Sequence, residues 1–132
     1  IGPDGQQLDI GPESIAWFRE RLEAFIDATP GEDPGSDHAR VAFHNGVFGM
    51  FEDPRFERGT RSFVSDLKRL NDHGIEVYVG GGEGGSALEK YGDPSWVTHV
   101  FTAGGTILKA LGDDSIPYLK AMWLSRRCES TK

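Results

Sequence analysis

Three segments of this chain read as a short strand, a glycine-rich loop and the start of a helix. The loops are Asn45-Gly46-Val47-Phe48-Gly49, Gly80-Gly81-Gly82-Glu83-Gly84-Gly85 and Ala103-Gly104-Gly105-Thr106. In an open α/β sheet such loops gather beyond the carboxyl ends of the strands, where ligands bind. Helix starts with bare N–H groups suit anions, phosphates above all. The pattern predicts a parallel sheet carrying one wall of a phosphate-rich site, foremost a nucleotide site.

Around these loops the chain punctuates itself. Pro12 suits the first position of a helix, where its missing N–H costs nothing. Ile15, Phe18, Leu22, Phe25 and Ile26 recur at helical spacing, with Arg19, Glu20, Arg21 and Glu23 on the other side, up to about Thr29-Pro30. Residues 30–38 are rich in Pro, Gly and acids and read as a surface loop. Arg40 to Asn45 reads as a strand. A helix from Gly59 or Thr60 carries Phe63, Val64, Leu67 and Leu70 inward and stops at Gly74. Ile75 to Val79 is the second strand. Ser86-Ala87-Leu88-Glu89 has capping-box form, which runs helix to about Gly92. Val97 to Thr102 is the third strand, with a helix through Ile107, Leu108 and Leu111 behind it. Pro117 opens a last short helix with Tyr118, Met122 and Trp123.

Strands alternating with helices mean a parallel sheet with right-handed crossovers and helices on both faces, a Rossmann-like arrangement of three βα units. Three strands are few for such a sheet. An unpaired edge seeks a partner, so further strands are expected from a preceding part of the protein or from another chain. Beginning at Ile1 rather than Met, the chain is expected to be processed, trimmed or cut from something longer.

Composition narrows the partners. A chain of 132 residues is one domain with a modest core. A net charge of −7 argues against a nucleic-acid surface, which needs a basic patch. The apolar stretches are too short for a bilayer, and no signal-peptide pattern opens the chain. Cys128 is the single cysteine, so no internal disulfide can form, which fits a reducing cytoplasm. No spacing of His, Cys, Asp and Glu suggests zinc, and no Cys or Ser nucleophile has a visible base. His44 and His99, in or beside strands, read as hydrogen-bonded structural residues, His38 and His73 as exposed ones. Trp17, Trp96 and Trp123 read as cover for the core.

Gly80-x-Gly82-x-x-Gly85 formally matches the dinucleotide fingerprint between a strand and a helix. That fingerprint also wants an acid ending the next strand, to hold the ribose. Thr102-Ala103-Gly104-Gly105 stands there instead. No glycine loop is followed by Gly-Lys-Ser or Gly-Lys-Thr, so there is no Walker A motif.

A different likeness runs along nearly the whole chain. Asp9-Ile10-Gly11-Pro12, Asn45 to Glu52, Phe56 with Gly59-Thr60, Gly80-Gly81-Gly82-Glu83, and His99 to Gly105 occur in that order. In order and spacing they resemble phosphoglycerate kinase, in the second half of its C-terminal, nucleotide-binding domain. Ile116-Pro117 is similar to that family's Leu-Pro near the C-terminus. The resemblance implies ATP or ADP with Mg²⁺ as cofactors. It places Asn45, Gly81, Gly82 and Gly84 near the nucleotide phosphates, Val47 and Met50 along an apolar adenine pocket, and Glu52 on the ribose hydroxyls. Glu83 takes the position of an Asp near the magnesium. Gly104, Gly105 and Thr106 would face the phosphoryl group in transfer, where fixed N–H donors stabilise charge.

The sequence departs from the family pattern at several of these positions. Glu83 is one methylene longer than Asp, Gly84 replaces Ser or Thr, Val47 replaces Pro, His44 replaces Trp, and Ala103 interrupts a glycine triplet. The resemblance also implies basic residues of an N-terminal domain that bind 3-phosphoglycerate or 1,3-bisphosphoglycerate, and lysines that hold ATP; this chain contains neither. The implied reaction, phosphoryl transfer between 1,3-bisphosphoglycerate and ADP in glycolysis, therefore belongs to a complete protein. Two other readings stand beside it: a nucleotide-binding or assembly module without catalysis, and an NAD-binding Rossmann domain.

Overall fold

The computed structural model describes residues 5–28 and 40–112, together with 116–117 and 120–121. Its elements are α1 (Pro12–Asp27), β1 (Val41–Asn45), α2 (Arg58–Asp72), β2 (Glu76–Gly80), α3 (Gly82–Tyr91), β3 (His99–Phe101) and α4 (Gly104–Leu111). The expected loop 30–38 with His38, and Tyr118, Met122, Trp123 and Cys128, lie outside the described residues.

The sheet is parallel, in the order β1-β2-β3. Its register sets Asn45 beside Gly80 and Gly80 beside Phe101. All three strands thus end level, and the three glycine loops leave from one edge. On one face Val77 and Val79, fully buried, pack with Val64, Leu67 and Leu70 of α2 and Ala87 and Leu88 of α3. Each of these Val and Leu side chains taken from water is worth roughly 1.5–3 kcal/mol. The opposite face carries Val41, Phe43, Tyr78 and Phe101, and among the described residues only α4 lies against it, through Ile107 and Leu111. A shallow apolar groove of about 270 Å³ is left there. Helices do flank both faces, but unevenly.

Several local expectations change. Helix α1 lies outermost against α2 and buries none of its residues. Its supposed solvent side is partly an interface. Arg19 donates from Nε to Asp66 Oδ1 (3.2 Å) and from Nη2 to Ser62 Oγ (2.9 Å), and Glu23 pairs with Arg69. Trp17 does not cover the core; it is 52% exposed, with the Arg21 guanidinium 5.2 Å from its ring. Trp96 does pack against the core. Helix α1 ends at Asp27 with Ala28 as its cap, close to the expected Thr29-Pro30. A 3₁₀ turn, Pro94–Trp96, precedes β3, closed by Asp93 accepting from the Ser95 N–H.

The helix through Ser86-Ala87-Leu88-Glu89 runs to Tyr91 with Gly92 as its cap, as expected, but its start is not at Ser86. Helix α3 begins at Gly82, so Ser86 lies inside it. Gly81 adopts φ +88°, which only glycine takes without strain, and turns the chain into helix directly after β2. The Gly74 stop holds: α2 closes at His73, and Gly74 has φ +74°.

Candidate functional site

The first loop is held from two sides. The buried Thr60 hydroxyl donates to the Phe48 carbonyl (2.7 Å) and accepts from the Phe48 N–H (2.9 Å). The Leu8 carbonyl accepts from the Met50 N–H at 2.9 Å. Asp9 accepts from Ile10 N–H through Oδ1 (2.8 Å) and from Gly59 N–H through Oδ2 (3.0 Å). Leu8 therefore ties down the loop after β1, and Asp9, opening the Asp9-Ile10-Gly11-Pro12 motif, ties down the start of α2.

The second and third loops meet through bare backbone. A Cβ on Gly104 would run into Asn45 Oδ1 and lie 2.7 Å from the Gly81 nitrogen. The Gly81 N–H donates to the Phe101 carbonyl at 2.8 Å. Asn45 Oδ1 also faces Gly80 and Gly81, so this one amide stands where all three loops converge. Neither α3 nor α4 has a side-chain cap. Their first N–H groups and the positive ends of their dipoles are left for a ligand.

The result is an open cavity of about 590 Å³ lined by Asn45, Gly46, Gly81 to Gly84, Thr102 to Thr106 and Lys109. Of the site residues expected from sequence, Asn45, Gly81, Gly82, Glu83, Gly84, Gly104, Gly105 and Thr106 are brought together here. Val47, Met50 and Glu52 do not line it. Val47 packs against the core, Met50 is half-exposed and Glu52 is exposed. Between them Phe51 is buried, its carbonyl accepting from Lys90 Nζ (2.8 Å) and Tyr91 OH (2.7 Å). Gly46 and Ala103 line the cavity as parts of the expected loops; sequence reading missed Thr102 and Lys109. Lys109 was detectable, since it lies four residues beyond Gly105 and three beyond Thr106.

Among the described residues Glu83 is the only carboxylate lining the cavity and Lys109 the only cation. Open backbone at Gly82 and Gly105, where an added Cβ would meet nothing within 4 Å, lets phosphate oxygens reach the amides. The donor set fits phosphates. Among the described residues no three His, Cys, Asp or Glu side chains gather to hold a metal. A lone Glu83 suits Mg²⁺ only when phosphate oxygens and water supply most of the shell. His44 lies outside the cavity. Burial pushes its pKa below the usual value, and its ring sits 4.8 Å from that of Phe63.

The fold and site define a class: parallel α/β proteins whose ligand cavity lies past the strand ends, walled by glycine loops. Comparison with known proteins narrows it. The family model of phosphoglycerate kinase matches residues 1–114, and the chain belongs to that family. It is 36% identical over 122 residues to the phosphoglycerate kinase of Pelotomaculum thermopropionicum, covering 92% of this chain and 27% of that one. To the cytosolic phosphoglycerate kinase 3 of Arabidopsis thaliana it is 33% identical over 91% of its length and 27% of the relative's. The solved phosphoglycerate kinase of Coxiella burnetii superposes with a TM-score of 0.64 at 26% identity, over 87% of this chain and 25% of that one. The chain thus spans about a quarter of the length of the relatives it matches.

Proposed function

We propose that residues 1–132 form the C-terminal part of a nucleotide-binding α/β domain. Within a complete protein this part would bind ATP or ADP with Mg²⁺ during reversible phosphoryl transfer between 1,3-bisphosphoglycerate and ADP. One observation carries the reading: two uncapped glycine helix starts and the Asn45 amide converge on a single cavity. In such a site Gly82, Gly104 and Gly105 offer backbone donors to phosphate oxygens. Thr106 stands at the third position of α4, and Glu83 is placed to share the phosphate-bound magnesium, which would offset charge on the phosphates. The acceptor, 3-phosphoglycerate, needs basic residues from a separate domain, as the family resemblance implies. Relatives whose names read cytosolic and chloroplastic leave a cytoplasmic setting as part of the proposal. No helix among the described residues is long and apolar enough to cross a membrane.

The test is a coupled phosphoryl-transfer assay on the complete gene product, with the 132-residue chain alone beside it. Transfer by the first and none by the second is expected. A complete product that binds no adenine nucleotide refutes the proposal.

Gly84 favours one second reading, a module that retains the nucleotide scaffold without catalysis. A Cβ there would lie 2.9 Å from the buried Val79 Cγ1, so Ser or Thr at this position requires Val79 to shift. Restoring Gly84→Ser and Glu83→Asp in the complete protein separates the readings. A large gain from near-zero activity marks a decayed kinase, and an active parent that changes little marks tolerated drift.

A further inference from the structure

Among the described residues one cation, Lys109, lines the cavity, and its position on α4 says where its side chain can reach. Lys109 follows Gly105 by four residues and Thr106 by three, so all three share a face of the helix. Helical side chains lean toward the N-terminus and cover the preceding turn. The Lys109 stem therefore runs back over Gly105, where no side chain stands and an added Cβ would meet nothing within 4 Å. Its line leads to the uncapped start of α4, and Lys109 lines the cavity together with Gly104, Gly105 and Thr106.

We infer that Lys109 is a binding residue for the outer phosphate of the nucleotide, adding a full charge to the backbone donors of α4. This rests on the nucleotide reading above. The plain alternative is that Lys109, in the last turn of α4, only complements the negative end of the helix dipole. That role would act on folding and be indifferent to the number of phosphates.

Titration calorimetry of the complete gene product with metal-free ADP and with AMP at low salt separates them, using Lys109→Gln and Lys109→Arg. The expected result is that Lys109→Gln weakens ADP binding about tenfold, the scale of one charge-assisted hydrogen bond. AMP binding should stay within about twofold. Lys109→Arg should keep most ADP affinity, and melting temperatures should not follow the loss. Unchanged ADP binding by Lys109→Gln, or equal loss for ADP and AMP, overturns the role while leaving the nucleotide site standing. A complete product that binds neither nucleotide removes the nucleotide reading, and the role with it.

Discussion

Gly104 and Gly105 are consecutive residues under opposite constraints. Gly104 touches Asn45 and the Gly81 backbone, while Gly105 faces open space. Gly104→Ala forces a methyl group against backbone that cannot step aside, and should destabilise by about 1–3 kcal/mol. Gly105→Ala adds helix propensity and should stabilise by up to about 1 kcal/mol, yet it places a methyl group where a phosphate would approach. Thermal melts followed by circular dichroism, with ADP titrations alongside, check both; two variants shifting stability in the same direction would contradict the packing described. His44 gives a pH prediction. Its folded pKa lies below 6.5 because burial disfavours the cation, so between the two values the unfolded chain binds more protons. Stability should decline as the pH falls below 6.5 and level off under the folded pKa. The carboxylates act lower: Arg55, bonded to Asp53, holds that acid down to about 2. Melting curves from pH 8 to pH 5 should therefore flatten in His44→Phe.

Among the elements, α1 packs Leu22 and Ile26 against the core and adds polar contacts to α2. None of its side chains is fully buried, and Asp66 beneath it is almost wholly enclosed. Arg19→Met leaves that carboxylate with its main partner gone, at a cost of about 1–3 kcal/mol, and should speed amide exchange in α1 ahead of α2. Equal exchange in both helices would rule this out. The same contact shows where sequence reading reaches its limit. The strands and their glycine loops were legible because apolar runs and glycines are local signals. Arg19 looked like a solvent residue because its partner lies forty-seven positions away, which no periodicity reveals. Ser86 misled because its capping pattern was local and valid, while the Gly81 turn started the helix earlier. Asn45 and Glu83 were found as parts of motifs. Lys109 was not, since it belongs to the site through helix geometry alone.

At the scale of the molecule, the sheet is unevenly covered. Val41 is 49% and Leu111 66% exposed on the face that only α4 crosses among the described residues. The outer edge of β1 has no paired strand there either. Both features suit a chain spanning about a quarter of its relatives, in which further strands would continue the sheet. The net charge of −7 opposes self-association at low ionic strength. Sedimentation at low and at moderate salt should therefore show association growing as charges are screened, and Val41→Lys should suppress it by placing a charge on the edge. Association unaffected by that substitution would locate the contact elsewhere.

The clamp formed by Leu8 and Asp9 carries a practical lesson for anyone handling the molecule. Two bonds from the leading segment, one spanning fifty residues, fix the geometry of the first glycine loop and the root of α2. Trimming ten residues from the front, or fusing a bulky tag hard against Leu8, would thus loosen that loop and the root of α2 while leaving every residue that lines the cavity in the chain.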